Sequence, residues 1–111
     1  MQNLGGRHTS QYFLSVFFKD IAISFIRAKL PKGFKCIYRA SNDAMHSDRI
    51  CICNKEGIEL AVIFADGSKE EPLRINIVEH VLDKCDLAER GTILELLSHI
   101  RMTMAVSYTF V

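Results

Sequence analysis

Phe34-Lys35-Cys36-Ile37-Tyr38-Arg39-Ala40, Arg49-Ile50-Cys51-Ile52-Cys53-Asn54 and Ile58-Glu59-Leu60-Ala61-Val62-Ile63-Phe64 are the three runs on which the fold turns. The first alternates Phe34, Cys36, Tyr38 and Ala40 against Lys35, Ile37 and Arg39, and the other two are rich in β-branched residues. Period-two patterning of this kind predicts strands, and the short polar connections 41–48 and 54–57 predict an antiparallel meander. If both connections are simple hairpins, Cys36 pairs near Cys53, Tyr38 near Cys51, Cys53 near Ile58 and Cys51 near Leu60. That register collects one apolar face, joined by Val62 and Phe64, for a helix to cover. It turns Ile37, Ile50, Ile52, Ala61 and Ile63 outward, among Lys35, Arg39 and Glu59.

Upstream, Tyr12 to Leu30 is patterned as a helix with two apolar sides. At ~100° per residue, Leu14, Phe17, Phe18, Ile21, Phe25 and Ala28 form one stripe, and Tyr12, Val16 and Ile23 a second. Thr9 or Ser10 is the expected N-cap, and Pro31, Lys32 and Gly33 the stop. Downstream of the turn at Asp66, Gly67 and Ser68 the period changes to 3.6. Pro72 at a first helical position, with Leu73, Ile77, Val78, Val81, Leu82 and Cys85 on one stripe, predicts a helix over about 72–85. A capping box of Thr92 and Glu95 opens a third helix through Ile93, Leu96, Leu97 and Ile100. Met102 to Phe110 alternates strictly, so the helix is expected to end near 103 and an extended tail to follow, with an extra edge strand as the alternative. The fold class is α+β in two layers: an N-terminal helix, a three-stranded antiparallel meander and two C-terminal helices.

With 111 residues, 49% of them apolar, and a net charge of +1, the chain suits one domain over 1–111, residues 1–8 forming a flexible leader. Tyr12 to Phe18 is too short an apolar run to span a bilayer, and a cytoplasmic location without membrane contact is expected. Charge is uneven. Residues 1–39 hold seven bases against Asp20 alone, and residues 40–111 hold seven bases against twelve acids. Arg27, Lys29, Lys32, Lys35 and Arg39 lie in one stretch without an acid, an anion or nucleic-acid patch in its simplest form, although cations after a helix also complement its dipole.

Candidate chemistry is sparse. Cys36, Cys51 and Cys53 with a histidine would make a zinc site only if the strands brought them together, and their alternation with isoleucines is that of core residues. Ser41 to Asp48 gathers His46, two carboxylates and two hydroxyls, which are also the residues turns require. His8, His80 and His99 have no partner at metal-ligand spacing, and no phosphate loop or nucleophile elbow is present. No cofactor and no enzymatic activity are expected.

Helix, three strands and helix, with His46 in the first hairpin loop and Gly67-Ser68-Lys69 opening the second helix, resembles the double-stranded RNA-binding domain over about residues 10–85. In that family lysines opening the second helix grip phosphates, whereas here Lys69 is followed by Glu70, Glu71 and Pro72, so no RNA-binding residue is carried over. The same order of elements is similar to that of secretion-type chaperones, which bind proteins as dimers.

These observations point to a non-enzymatic protein-binding module of inhibitor, adaptor or chaperone type, masking a partner's surface stoichiometrically and itself a homodimer. Tyr12, Val16, Ile23, Ile37, Ile50, Ile52 and Ile63 are the expected partner or dimer interface, unless the C-terminal segment covers that face. The alternative is nucleic-acid binding through Arg27, Lys29, Lys32, Lys35 and Arg39.

Overall fold

A computed structural model describes residues 21–40, 48–64, 73–103 and 106–111. The elements in order are α1 (Ile23–Lys29), β1 (Lys35–Arg39), β2 (Arg49–Cys53), β3 (Glu59–Phe64), β4 (Leu73–Ile77), α2 (Glu79–Asp83), α3 (Leu87–Thr103) and β5 (Val106–Phe110). The strands form one sheet in the order β1-β2-β3-β4-β5. The first four are antiparallel, and β5 runs parallel to β4 because the α2–α3 crossover carries the chain back to its starting end. The class is α+β, as expected, but the sheet has two more strands than the meander.

The expected helix over 72–85 is a strand followed by a short helix. Leu73, Ile75 and Ile77 fit either period; on β4 all three lie in the core, with Arg74 and Asn76 on the other side, and pairing with β3 decides for the strand. This fourth strand replaces the second helix of the RNA-binding resemblance. Only Val81, Leu82 and Cys85 keep their helical-stripe role, lying buried at α2. Helix α3 starts five residues before the expected Thr92 cap. Asp86 and Glu89 form its capping box, the Asp86 Oδ1 accepting from the Glu89 N–H at 2.8 Å and the Glu89 Oε1 from the Asp86 N–H at 3.1 Å. Its end at Thr103 and the strand that follows agree with the alternation read from Met102 onward.

Helices α1, α2 and α3 cover one face of the sheet. The core joins Ile23 and Ile26 of α1, Cys36 of β1, Ile50 and Ile52 of β2, Leu60, Ala61 and Ile63 of β3, all three apolar residues of β4, and Ile93, Leu96, Leu97 and Ile100 of α3. The phase of the first helix differs from expectation within the described residues: Ile21 and Ala28 face outward, while Ile23, placed on the second stripe, and Ile26, placed on neither, are buried. Ile21 and Ala22 lie in a π turn, and one extra residue per turn rotates the stripe by about 100°. Phe25 meets His99 edge-on at 5.6 Å, joining α1 to α3.

The β1–β2 register is one residue away from the simple hairpin. Cys36 lies opposite Ile52 and Tyr38 opposite Ile50, so Ile50 and Ile52 share the helix-covered face with Cys36, and Cys51 and Cys53 take the other. A one-residue slip moves a whole strand's side chains to the opposite face. A bulge between Ile52 and Cys53 shifts β3 as well and brings both Leu60 and Ala61 into the core. The β2–β3 turn is built by Asn54, buried, whose Oδ1 accepts from the Glu56 and Ile58 N–H groups at 3.0 and 2.9 Å. Gly57, at φ 81°, supplies the left-handed residue that this turn requires.

Candidate interaction site

Of the five described residues of the expected interface, Ile23, Ile50, Ile52 and Ile63 are buried. Ile50 and Ile52 are 0% exposed and Ile63 1%, all three within the core, and Ile23 is buried with them. The register difference is the cause: the residues expected to face outward on β2 and β3 are those that face the helices. Ile37 alone among the described interface residues keeps its expected place on the face opposite the helices, half-buried. Tyr12 and Val16 lie outside the described residues, as do residues 1–8, most of the His46 loop and the Gly67-Ser68-Lys69 segment.

The face opposite the helices is correspondingly less apolar than expected. By alternation it carries Lys35, Ile37 and Arg39 from β1, Arg49, Cys51 and Cys53 from β2, Glu59, Val62 and Phe64 from β3, and Arg74 and Asn76 from β4. The Arg74 guanidinium stacks 4.2 Å above the Phe64 ring, and its Nη1 donates to the Asn76 Oδ1 at 3.4 Å. Cys51 sits beside Glu59 and Arg39. Burial first, and then the Glu59 carboxylate, push its thiol up, against the opposing pull of Arg39.

Cys36 lies on the helix-covered face and Cys51 and Cys53 on the opposite one, so the three thiols drawn together in the zinc alternative do not converge. Burial pushes the Cys36 thiol up to about 11, with Arg27 pulling the other way. All four cysteines are free thiols and buried, and none has the electropositive, accessible setting of a nucleophile. Among the described residues, no group of three histidine, cysteine or acidic side chains is placed to hold a metal ion. His80 and His99 are exposed, and Asp48, the described end of the His46 loop, accepts a short hydrogen bond from the Tyr38 hydroxyl.

The five bases of the alternative patch are all exposed and follow one another along α1, the turn after it and the edge strand β1. One of them has a structural task. Arg27 donates to the Cys36 carbonyl from Nη2 at 3.1 Å and from Nε at 3.4 Å, so the helix closes over part of the sheet's open edge.

Sequence patterning missed the outer side of α3. Leu87 is 79% exposed, Leu94 40% and Met102 82%. On a helix these three, with Gly91 and Ser98, fall within about 80° of arc, opposite Ile93, Leu96, Leu97 and Ile100. Glu95 and Arg101 at the flanks, one of each sign, are the nearest charges. The helix is thus apolar on two sides, the property expected of Tyr12 to Leu30. Leu87 and Leu94, seven residues apart, were a legible signal, hidden by starting the helix at Thr92.

Among the described residues, no helix is long and apolar enough to cross a membrane. No protein-family model, curated protein or solved structure matches the chain.

Proposed function

We propose that this chain is a non-enzymatic protein-binding module that works stoichiometrically, by laying the outer side of α3 against a partner's surface. The observation that carries this reading is the exposure of Leu87, Leu94 and Met102 on one side of a helix whose other side is already buried in the core. A helix apolar on two opposite sides packs between two layers, and one layer is supplied by the sheet. Exposed apolar area of this kind on a small domain is where partners dock. The gaps at Gly91 and Ser98 between the large side chains suit an apolar ridge of the partner. Four reduced, buried cysteines fit a cytoplasmic setting.

A second reading rests on the five exposed bases from Arg27 to Arg39, which phosphates would contact without reading sequence. One experiment separates the two. The tagged chain and its Leu94→Glu variant, purified without nuclease, are used to capture partners from native cell extract at low and ~0.5 M salt, with absorbance read at 260 and 280 nm. A protein held in near-equimolar amount by the parent at both salts, and lost with Leu94→Glu, supports docking on α3. Nucleic acid that salt strips off equally from both overturns it in favour of the basic edge.

A further inference from the structure

The two edges of the sheet are finished differently. The β1 edge is guarded: Lys35 and Arg39 are exposed along it, and Arg27 occupies the Cys36 carbonyl. Charged side chains and a covering helix are the devices by which sheets avoid joining edge to edge. Among the described residues no helix covers the β5 edge, and Val106-Ser107-Tyr108-Thr109-Phe110 contains no charge, proline or glycine, with four of its five residue types strong strand formers.

The direction of the free groups on β5 follows from its ladder. The Val111 N–H donates to the Ile77 carbonyl at 2.8 Å, and the Val111 carbonyl accepts from the Glu79 N–H at 2.9 Å. In a parallel strand both groups of one residue point to the same side and alternate, so 107, 109 and 111 bond toward β4. The N–H and C=O groups of 106, 108 and 110 therefore face away from β4. Among the described residues, no backbone bond outside the ladders reaches them.

We propose that this edge is a homodimer seam, at which β5 of two copies pair antiparallel about a two-fold axis at Tyr108 and merge the two sheets into one. In that register 108 lies opposite 108 of the second copy and 106 opposite 110. Every bonded pair then uses residues whose backbone groups already point outward, about six hydrogen bonds in all. Phe110, 55% exposed, loses its contact with water at the seam.

The occupant is a second copy for two reasons. A neutral strand offers nothing to a charged extended peptide, and it matches itself in charge and length. An isologous pairing also consumes the unguarded edge of each copy and leaves only the two guarded β1 edges outside, so assembly closes at two. This seam is independent of the α3 docking surface, and the test keeps them apart.

The test is native mass by light scattering on the full chain at ~100 µM, well above the dissociation constant of a stable dimer. The expected mass is twice 12.6 kDa. Phe110→Pro removes one outward N–H and leaves the β4 ladder intact, and should give a monomer with an unchanged circular dichroism spectrum. Leu94→Glu should remain dimeric. A monomeric parent chain overturns the proposal, as does a dimer that Leu94→Glu dissolves while Phe110→Pro does not, which would move the seam to α3. A growing polymer overturns it too, because the β1 edge would then not be guarded. If Phe110→Pro does not fold, amide exchange on the parent chain decides: Tyr108 and Phe110 should exchange at least ~10-fold faster on dilution through dissociation, and exchange independent of concentration refutes the seam.

Discussion

Ile52→Ala and Ile37→Ala, compared in one urea titration, test the strand register on which every surface described above depends. Ile52 is 0% exposed and lies opposite Cys36 on one side and Ala61 on the other, facing the helices. Truncating it removes about three carbons from the core, worth roughly 2.4 kcal/mol of transfer free energy at about 0.8 per group. The cavity left behind adds to this, and buried isoleucine-to-alanine changes cost about 2–5 kcal/mol in total. Ile37, partly exposed on the opposite face beside Cys51, leaves a smaller closed cavity behind and should cost less, about 1–2 kcal/mol. Small domains are stable by only about 5–15 kcal/mol. With a urea slope of about 2 kcal/mol/M, the Ile52 variant should therefore unfold about 1–2.5 M earlier, and the Ile37 variant by less than about 1 M. Equal losses at the two positions, or a larger one at Ile37, would mean that β2 carries the simple hairpin register after all.

Asn54→Ala should cost about 1–3 kcal/mol in the same assay, because it strips the acceptor from the Glu56 and Ile58 N–H groups of the β2–β3 turn; Asn54→Asp, which keeps the oxygen, should cost less. Asp86→Ala removes the acceptor for the Glu89 N–H at the start of α3 and should lower the melting temperature by about 4–8 °C for each kcal/mol lost, with a loss of about 1 kcal/mol expected. Stability should fall as pH rises from 9 toward 11. The Cys36 thiol ionises near 9.0 when the chain is unfolded but only near 11 when folded, so across that window the unfolded state releases the proton first. Cys36→Ala should flatten that slope in urea midpoints measured from pH 8 to 10.5. Arg27→Ala frees the Cys36 carbonyl on the β1 edge, and light scattering should then detect species larger than the parent chain forms.

What could be read in the residues, and what could not, divides along the range of the forces involved. The first three strands were legible because β-branched residues and period-two alternation act within a few positions, and the end of α3 and the alternation of β5 were legible for the same reason. The 73–77 segment reads as helix from its sequence because Leu73, Ile75 and Ile77 satisfy both periods, and only pairing with β3 separates them. The site suffered more than the fold. Whether Ile50, Ile52 and Ile63 faced a partner or the core hung on one residue of slip between β1 and β2, which the connection 41–48 leaves open.

From the sequence alone came the class of the domain, the strand content of residues 34–64, the burial of the cysteines and the run of bases from Arg27 to Arg39. Those follow from local periodicity and composition. Only the tertiary structure decided which face of each strand is inside, that β4 and β5 extend the sheet, that α3 exposes a second apolar side, and that Arg27 closes over the β1 edge. The reason is physical: a side chain's face depends on register and on what packs against it, and both are settled by contacts between residues far apart in the chain.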